Sequence, residues 1–424
     1  VRIHFNRLVT PAVLLLCLLA SCSGEKKPPN LVLITVDTLR PDHLGYSGAT
    51  HKTSPAIDRL AEQGVIFSHA TSVSGWTLPS IATVLTGHYP KDHGATDFHW
   101  SIDASLPSLA SILRKHGYDT YGFVSHIMLT PTYGIGDGFE HYDFSVLNTG
   151  HPHEISTSKE LTEIALRGMR DLKEPYFVWV HYFDPHFEYL KHDLYNWGDG
   201  EKDRYDAEIA YTDYHIDNLL KVVDRKNTVV VFTSDHGEEF GEHGGKFHYT
   251  LHDEVMRVPL IIKAPGLAHR EETARAEQID LLPTMLKLLG VEAPAGLPGR
   301  DLLALANANH TVYLERDRPP QWRQRGVVHG THKLIAIEEA DTNLVPPTSR
   351  NEEIPVTWVK PGFYLYDLAK DPGETRNLYS PSDSTSLSLL GLLTQHFATA
   401  TARKGTVELN DDLLNKLRSL GYIR

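Results

Sequence analysis

The sequence predicts an α/β fold: a mostly parallel central sheet flanked by helices, with a smaller C-terminal α+β subdomain. Three observations carry this. First, apolar runs rich in β-branched residues recur at Asn30–Val36, Asp119–Val124, Tyr176–Tyr182 and Thr228–Ser234, the pattern of strands buried on both faces. Second, helical-period stretches fall between them, near Pro55–Gln63, Pro79–Thr86, Leu106–His116, Ser158–Leu172 and Asp203–Val223, and such alternation builds parallel sheets. Third, the pattern changes past Gly299: Thr311–Glu315, Gly326–Ile337 and Phe363–Leu368 read as antiparallel strands, with two helices closing the chain. The division is a larger domain over 30–305 and a subdomain over 306–424, with Asp341–Pro355 an exposed loop. At 424 residues, 41% apolar and 22% charged, the chain can bury a large core.

The first residues form a separate unit. Arg2 and Arg7 precede an apolar stretch from Pro11 to Ala20, too short to span a bilayer, and Leu19-Ala20-Ser21-Cys22 follows. Residues 1–21 therefore read as a signal peptide and 22–29 as a tether. The Leu-Ala-Ser-Cys end resembles the lipobox of bacterial lipoproteins, which implies acylation of Cys22 and an exported, lipid-anchored protein at the periplasmic face or outer membrane. The only other cysteine is Cys17, inside the signal. The mature part thus lacks disulfides, thiolate metal sites and a cysteine nucleophile. Loss of Arg2 and Arg7 with residues 1–21 moves the formal charge from −13 to −15, which argues against nucleic acid as a partner.

Ligands of open α/β sheets gather at the carboxyl ends of the strands. The first strand ends in Asp37-Thr38 and the last strong one in Asp235-His236-Gly237. Oxygen and nitrogen donors without sulfur suit Ca²⁺, Mn²⁺, Mg²⁺ or Zn²⁺. Strand-end aspartates also start turns and cap helices, so each alone has two readings; together, beside His236, they favour one divalent cation. Thr77 stands at the entrance of the Pro79–Thr86 helix, where a hydroxyl is either a cap or, with a cation and the helix dipole lowering its pKa, a nucleophile.

Thr77-Leu-Pro-Ser-Ile-Ala-Thr-Val-Leu-Thr-Gly-His-Tyr-Pro-Lys-Asp-His93-Gly resembles the signature of the sulfatase family, in which a cysteine or serine is followed by x-Pro-x-Arg and a Leu-Thr-Gly-x-Tyr-Pro-x-x-His-Gly tail. Asp37-Thr38 and Asp235-His236-Gly237-Glu238 are similar to its two metal motifs. His181-Tyr-Phe-Asp184-Pro-His186 is similar to the segment with its substrate-facing histidine. His248 through Ile262, Gln278–Thr284 and Tyr366–Glu374 continue the likeness to about residue 380. The resemblance implies an alkaline-phosphatase-like fold, an ester hydrolase and a cation, Ca²⁺ by analogy, on Asp37, Thr77, Asp235 and His236. It also implies His186 and His248 as catalytic residues that steady the anion and protonate the leaving group. His181, Asp184 and Lys246 are expected to touch substrate or support those that do. His93 and His126 are weaker candidates, and Glu238, Glu239 and Glu242 are acidic neighbours.

The departures are informative. Family members oxidise the cysteine or serine to formylglycine; Thr77 is expected to stay unmodified. The motif arginine is Ile81, the second metal aspartate is Thr38, Phe123-Val-Ser-His126 replaces Gly-Lys-Trp-His, and His248 takes the place of the late lysine. What remains is similar to threonine-dependent phosphoglycerol and phosphoethanolamine transferases. Three functions follow: hydrolysis of sulfate or phosphate esters of a small molecule, glycan or lipid; transfer of a phospho head group; and glycan binding without catalysis.

Overall fold

The computed structural model describes residues 27–148, 154–223, 226–304, 310–317, 322–339, 359–399 and 405–419. Cys22, the rest of the signal segment and Asp341–Pro355 lie outside them. Strands β1 (Asn30–Val36), β2 (Val65–Phe67), β3 (Asp119–Val124), β4 (His141–Asp143), β5 (Tyr176–Tyr182), β6 (Thr228–Ser234), β7 (Leu260–Lys263) and β8 (Arg270–Glu272) form one sheet in the order β8-β2-β7-β6-β1-β5-β3-β4. Only β7 runs against its neighbours.

Alternate side chains explain the layers. Val32 and Ile34 of β1, with Val178, Val180, Val230 and Phe232 beside them, pack under helices α1 (Pro55–Ala61), α4 (Ser158–Gly168) and α5 (Glu201–Val223). Leu31 and Leu33, with Phe177, Trp179, Val229 and Val231, face the other way, onto α2 (Thr77–Thr86), α3 (Leu109–Lys115) and α6 (Leu281–Leu288). Helix α8 (Asp411–Ser419) returns to this second layer through Leu413 and Leu417.

A second sheet follows, β9 (Val312–Asp317), β10 (Trp322–His329), β11 (His332–Glu339) and β12 (Gly362–Asp367), antiparallel throughout. One face carries helix α7 (Ser384–Phe397) on Val327, Leu334 and Leu365; the other lies on Leu251, Val255 and Met256 of the larger domain. Fully buried Lys333 crosses that seam, 2.9 Å from both Asp253 Oδ1 and Glu374 Oε1. Removing one member of such a triad leaves an uncompensated buried charge.

Several expected elements differ in their limits, three of them for a clear physical reason. The apolar run Gly326–Ile337 is two strands joined at Gly330-Thr331, with Gly330 at φ +57°, a conformation that glycine adopts without a Cβ clash. The second helix starts at Thr77 rather than Pro79, because the proline occupies a first-turn position that needs no N–H donor. The stretch to Leu172 ends its α-helix at Gly168 and tightens into a 3₁₀ turn over Met169–Asp171. No described helix is long and apolar enough to cross a membrane.

Candidate active site

The parallel register aligns the ends of three strands: Val36 pairs with Tyr182 on one side and Ser234 on the other. Asp37 and Asp235 are therefore neighbours at one sheet edge, and both are completely buried. One ligand atom from each of Asp37, His181 and Asp235 lies within 4.8 Å of the others. His236 Nε2 stands 3.8 Å from Asp37 Oδ1 and 3.5 Å from Asp235 Oδ2. Both oxygens of Asp37, Oδ2 of Asp235 and Nε2 of His181 have no hydrogen-bond partner. Buried carboxylates left in this state cost several kcal/mol each, roughly, unless a charge compensates them. Accordingly, burial, followed by the repulsion of Asp235 and Glu238, pushes the Asp37 carboxyl well above its ordinary range. Convergent, unsatisfied, anionic donors with an imidazole fit a divalent cation.

Hydrogen bonds assign the imidazole protons. His236 Nδ1 donates to the Gly237 carbonyl at 2.9 Å, so Nε2 carries a lone pair, and it faces Thr77 Oγ1 at 3.4 Å. In His126 the arrangement is reversed: Nδ1 accepts from the Met128 N–H at 3.0 Å, so the proton of the neutral ring sits on Nε2, 3.6 Å from Asp37 Oδ2. His126 is thus a donor toward the site, and not a cation ligand. His181 Nε2 is also 3.6 Å from Asp37 Oδ2, while its Nδ1 is 2.8 Å from Thr35 Oγ1; burial lowers its pKa to about 4 and keeps it neutral.

Thr77 is the first residue of α2, behind Trp76 as N-cap. Its buried hydroxyl sits at the positive end of a ten-residue helix. One turn on, Ile81 is wholly buried in the apolar core, so that position offers no charge to the site. Thr38 has φ +52°, a strained backbone for a β-branched residue, costing about 1–3 kcal/mol. It is held by its N–H to Asp235 Oδ1 at 3.1 Å, by Tyr205 O–H donating to its carbonyl at 2.7 Å, and by its hydroxyl donating to the Pro185 carbonyl. That last bond ties down the loop of His186.

His186 donates from Nδ1 to the Phe187 carbonyl at 2.7 Å. Its ring centroid is 5.7 Å from that of His248, which is 4.5 Å from His236. Beneath His248 lies buried Glu238, Oε1 3.3 Å from Nδ1; burial, opposed by the Tyr189 hydrogen bond and by Arg40, raises Glu238 to about 8.

The family description Sulfatase matches residues 29–291, and the one for the C-terminal part of N-sulphoglucosamine sulphohydrolase matches 241–399. The chain belongs to the sulfatase family. An ulvan-active sulfatase of Formosa agariphila is 28% identical over 66% of this chain and 65% of its own length. The N-acetylglucosamine-6-O-sulfatase of Bacteroides thetaiotaomicron is 22% identical over 88% of each. In fold, the phosphonate monoester hydrolase of Agrobacterium radiobacter superposes with a TM-score of 0.74 at 19% identity, over 90% of this chain and 99% of that one. The protein is a sulfatase-family hydrolase of sulfate or phosphate esters, with the alkaline-phosphatase-like fold expected from its sequence.

Within this family site, Asp184 and Lys246, expected to touch substrate or to support residues that do, are both engaged by neighbouring groups. Asp184 takes the supporting one of its two expected roles: its carboxylate accepts from Ser156 Oγ at 2.7 Å, Ser158 N at 2.7 Å and Ser158 Oγ at 2.5 Å, so it anchors the start of α4. Lys246 is exposed and donates to both oxygens of Glu201, at 2.7 and 2.9 Å, so its charge is already matched. His181, expected to touch or support substrate contacts, lies with the carboxylate cluster. His93 is structural, with Nδ1 accepting from Ala95 N at 3.1 Å and Nε2 donating to the Pro79 carbonyl at 3.2 Å. Glu239 accepts from His243 N and Gly245 N, and Glu242 pairs with Arg40.

Proposed function

We propose that Thr77, unmodified, is the nucleophile of a single-cation ester hydrolase that turns over phosphodiesters or phosphonate monoesters faster than matched sulfates. The observation that carries this reading is the one hydroxyl at the start of α2, 3.4 Å from His236 Nε2 and beside the unsatisfied carboxylates. Asp37, Asp235 and His236 would hold the cation with Thr77, and His181 Nε2 is a further donor. When bound, a divalent cation lowers the pKa of the Thr77 hydroxyl and offsets charge on the ester oxygens. Ca²⁺ and Mn²⁺ both suit a donor set of this kind.

Thr77 Oγ attacks phosphorus as its proton passes to His186 or His248 Nε2, the phosphorus–oxygen bond to the leaving group breaks, and the departing alkoxide takes that proton. His126 Nε2–H is placed to donate to the ester's charged oxygens. Water then attacks the phosphothreonine and restores the hydroxyl. A formylglycine diol expels sulfate by elimination through its second hydroxyl. Threonine has none, so its intermediate must be resolved by attack at sulfur or phosphorus, and phosphorus accepts that attack more readily. The ester is that of a small molecule or glycan; relatives named for ulvan and N-acetylglucosamine 6-O-sulfate support a carbohydrate leaving group.

The test is a panel of matched aryl sulfate, phosphate diester and phosphonate monoester substrates, with intact mass of the Thr77 peptide. Faster sulfate turnover, or a modified residue 77, refutes the assignment. We also propose acylation at Cys22 and residence at the periplasmic face or outer membrane. A Cys22→Ser protein that still fractionates with membranes as wild type does contradicts this.

A further inference from the structure

A second cavity, of about 530 Å³, opens between the larger domain and the antiparallel sheet. Neither Asp37, Thr77 nor His236 lines it. Its lining includes Arg257 and Arg275, from the larger domain, and an apolar part made by Leu314, Val328 and Leu368.

Neither guanidinium is spent on an ion pair: Asp253 acts on both electrostatically, but its carboxylate is bonded to Lys333. Arg257 Nε is buried without a partner, and its guanidinium donates only to the Ser68 carbonyl, at 2.6 Å. Arg275 gives Nε and one terminal N–H to a single carbonyl, that of Gly330, at 3.3 and 3.0 Å. Among the described residues neither guanidinium has a carboxylate within ion-pair distance. The acids of the cavity are each engaged by another cation or imidazole: Asp42 by Arg40 at 2.8 Å, Asp253 by Lys333 at 2.9 Å, and Glu254 by His243 at 3.2 Å. The electrostatics agree, since burial and then Arg257 and Arg275 lower the pKa of His69, another lining residue.

Two planar guanidinium forks with N–H groups not bonded to any carboxylate, one of them with a buried unpartnered Nε, form an oxyanion receptor. The volume lies in the range of small-molecule sites, and the apolar part of the lining calls for more than an inorganic ion. We propose that this cavity binds a small organic anion, its sulfate, sulfonate or phosphate head on Arg257 and Arg275 and its apolar body against Leu314, Val328 and Leu368. The inference is independent of the nucleophile and of the cation.

Calorimetric titration of the full chain with naphthalene-2-sulfonate tests it. One probe should bind per chain, and neutral 2-naphthol should bind about tenfold or more weakly, because it cannot form charge-assisted hydrogen bonds. Arg275→Met should weaken the sulfonate by a similar factor. Thr331→Trp, at an exposed turn on the cavity rim, should abolish binding by filling the space, and it tests the site even where the arginine variant folds poorly. Failure of wild type to bind the probe overturns the proposal. So does binding that is undiminished in Thr331→Trp, or a probe that competes with substrate at the catalytic site.

Discussion

Two groups of two buried acids and a histidine stand in opposite states. Asp37, His181 and Asp235 form one; Glu277, Asp280 and His310 form the other. In the second, every carboxylate oxygen is taken. Glu277 accepts from Tyr89 O–H, from Tyr313 N at 2.9 Å and from His310 Nε2 at 2.8 Å, and Asp280 accepts from Arg300 N at 2.9 Å and Glu277 N at 3.0 Å. In the first, three carboxylate oxygens and an imidazole nitrogen have no hydrogen-bond partner. Two acids and a histidine therefore do not make a cation site by themselves. What separates the clusters is whether the surrounding backbone and hydroxyls have already satisfied the donors.

The largest effects should come from the unsatisfied cluster. Thr77→Ala should reduce turnover by about 10³ or more, since nucleophile removal leaves only binding and electrostatic stabilisation. Asp235→Ala should abolish tight metal binding. Glu277→Ala should leave metal content at the wild-type level and instead lower unfolding stability by about 2–4 kcal/mol, because it strands several buried donors. Elemental analysis and urea unfolding of the two aspartate and glutamate variants together check the contrast. Metal loss in both, or in neither, would erase it.

His181→Ala is the sharper cut. A histidine that only touched substrate would leave metal content alone, whereas a donor to the cation should lower affinity by about 10- to 100-fold. Titration with Mn²⁺, followed by calorimetry, distinguishes these outcomes. Unchanged affinity would return His181 to the substrate side.

Much of this was legible in the sequence, and the failures have a common cause. The strands of the parallel core were readable because β1, β3, β5 and β6 are continuous β-branched runs, and Asp37 and Asp235 because each terminates one. Thr77 was readable from a motif. His181 was not, because its role depends on the register that sets Thr35 beside His181, and strand order is a long-range property. Which of its two expected roles Asp184 takes was equally hidden, because its donors come from Ser156-Thr157-Ser158, some 27 residues upstream. Lys246 was hidden likewise, through a partner 45 positions away. The hairpin at Gly330 is the exception, where a single glycine inside an apolar run was a local signal for the turn.

The smallest expected effect extends the comparison to single imidazoles. His181 and His93 are both fully buried and held neutral by burial, His181 to about 4 and His93 to about 3. His181 keeps an unused nitrogen, while His93 uses both. The folded pKa of His93 lies below its ordinary value of 6.5, so below pH 6.5 the unfolded chain takes up a proton that the native protein refuses. Stability is then full above pH 6.5 and declines as pH falls toward 3, with a slope of about 1.4 kcal/mol per pH unit per proton. Other buried histidines add to the total. In His93→Gln, whose amide can still accept from Ala95 N and donate to Pro79 O, the slope between pH 6 and 5 should become shallower by about one proton. Urea unfolding in EDTA at pH 7, 6 and 5 measures this, with the cation removed so that Asp37, Asp235 and His181 titrate alike in both proteins. An unchanged slope would mean that His93 is protonated in the native state, and that its bond to the Pro79 carbonyl outweighs the desolvation that sets it apart from His181.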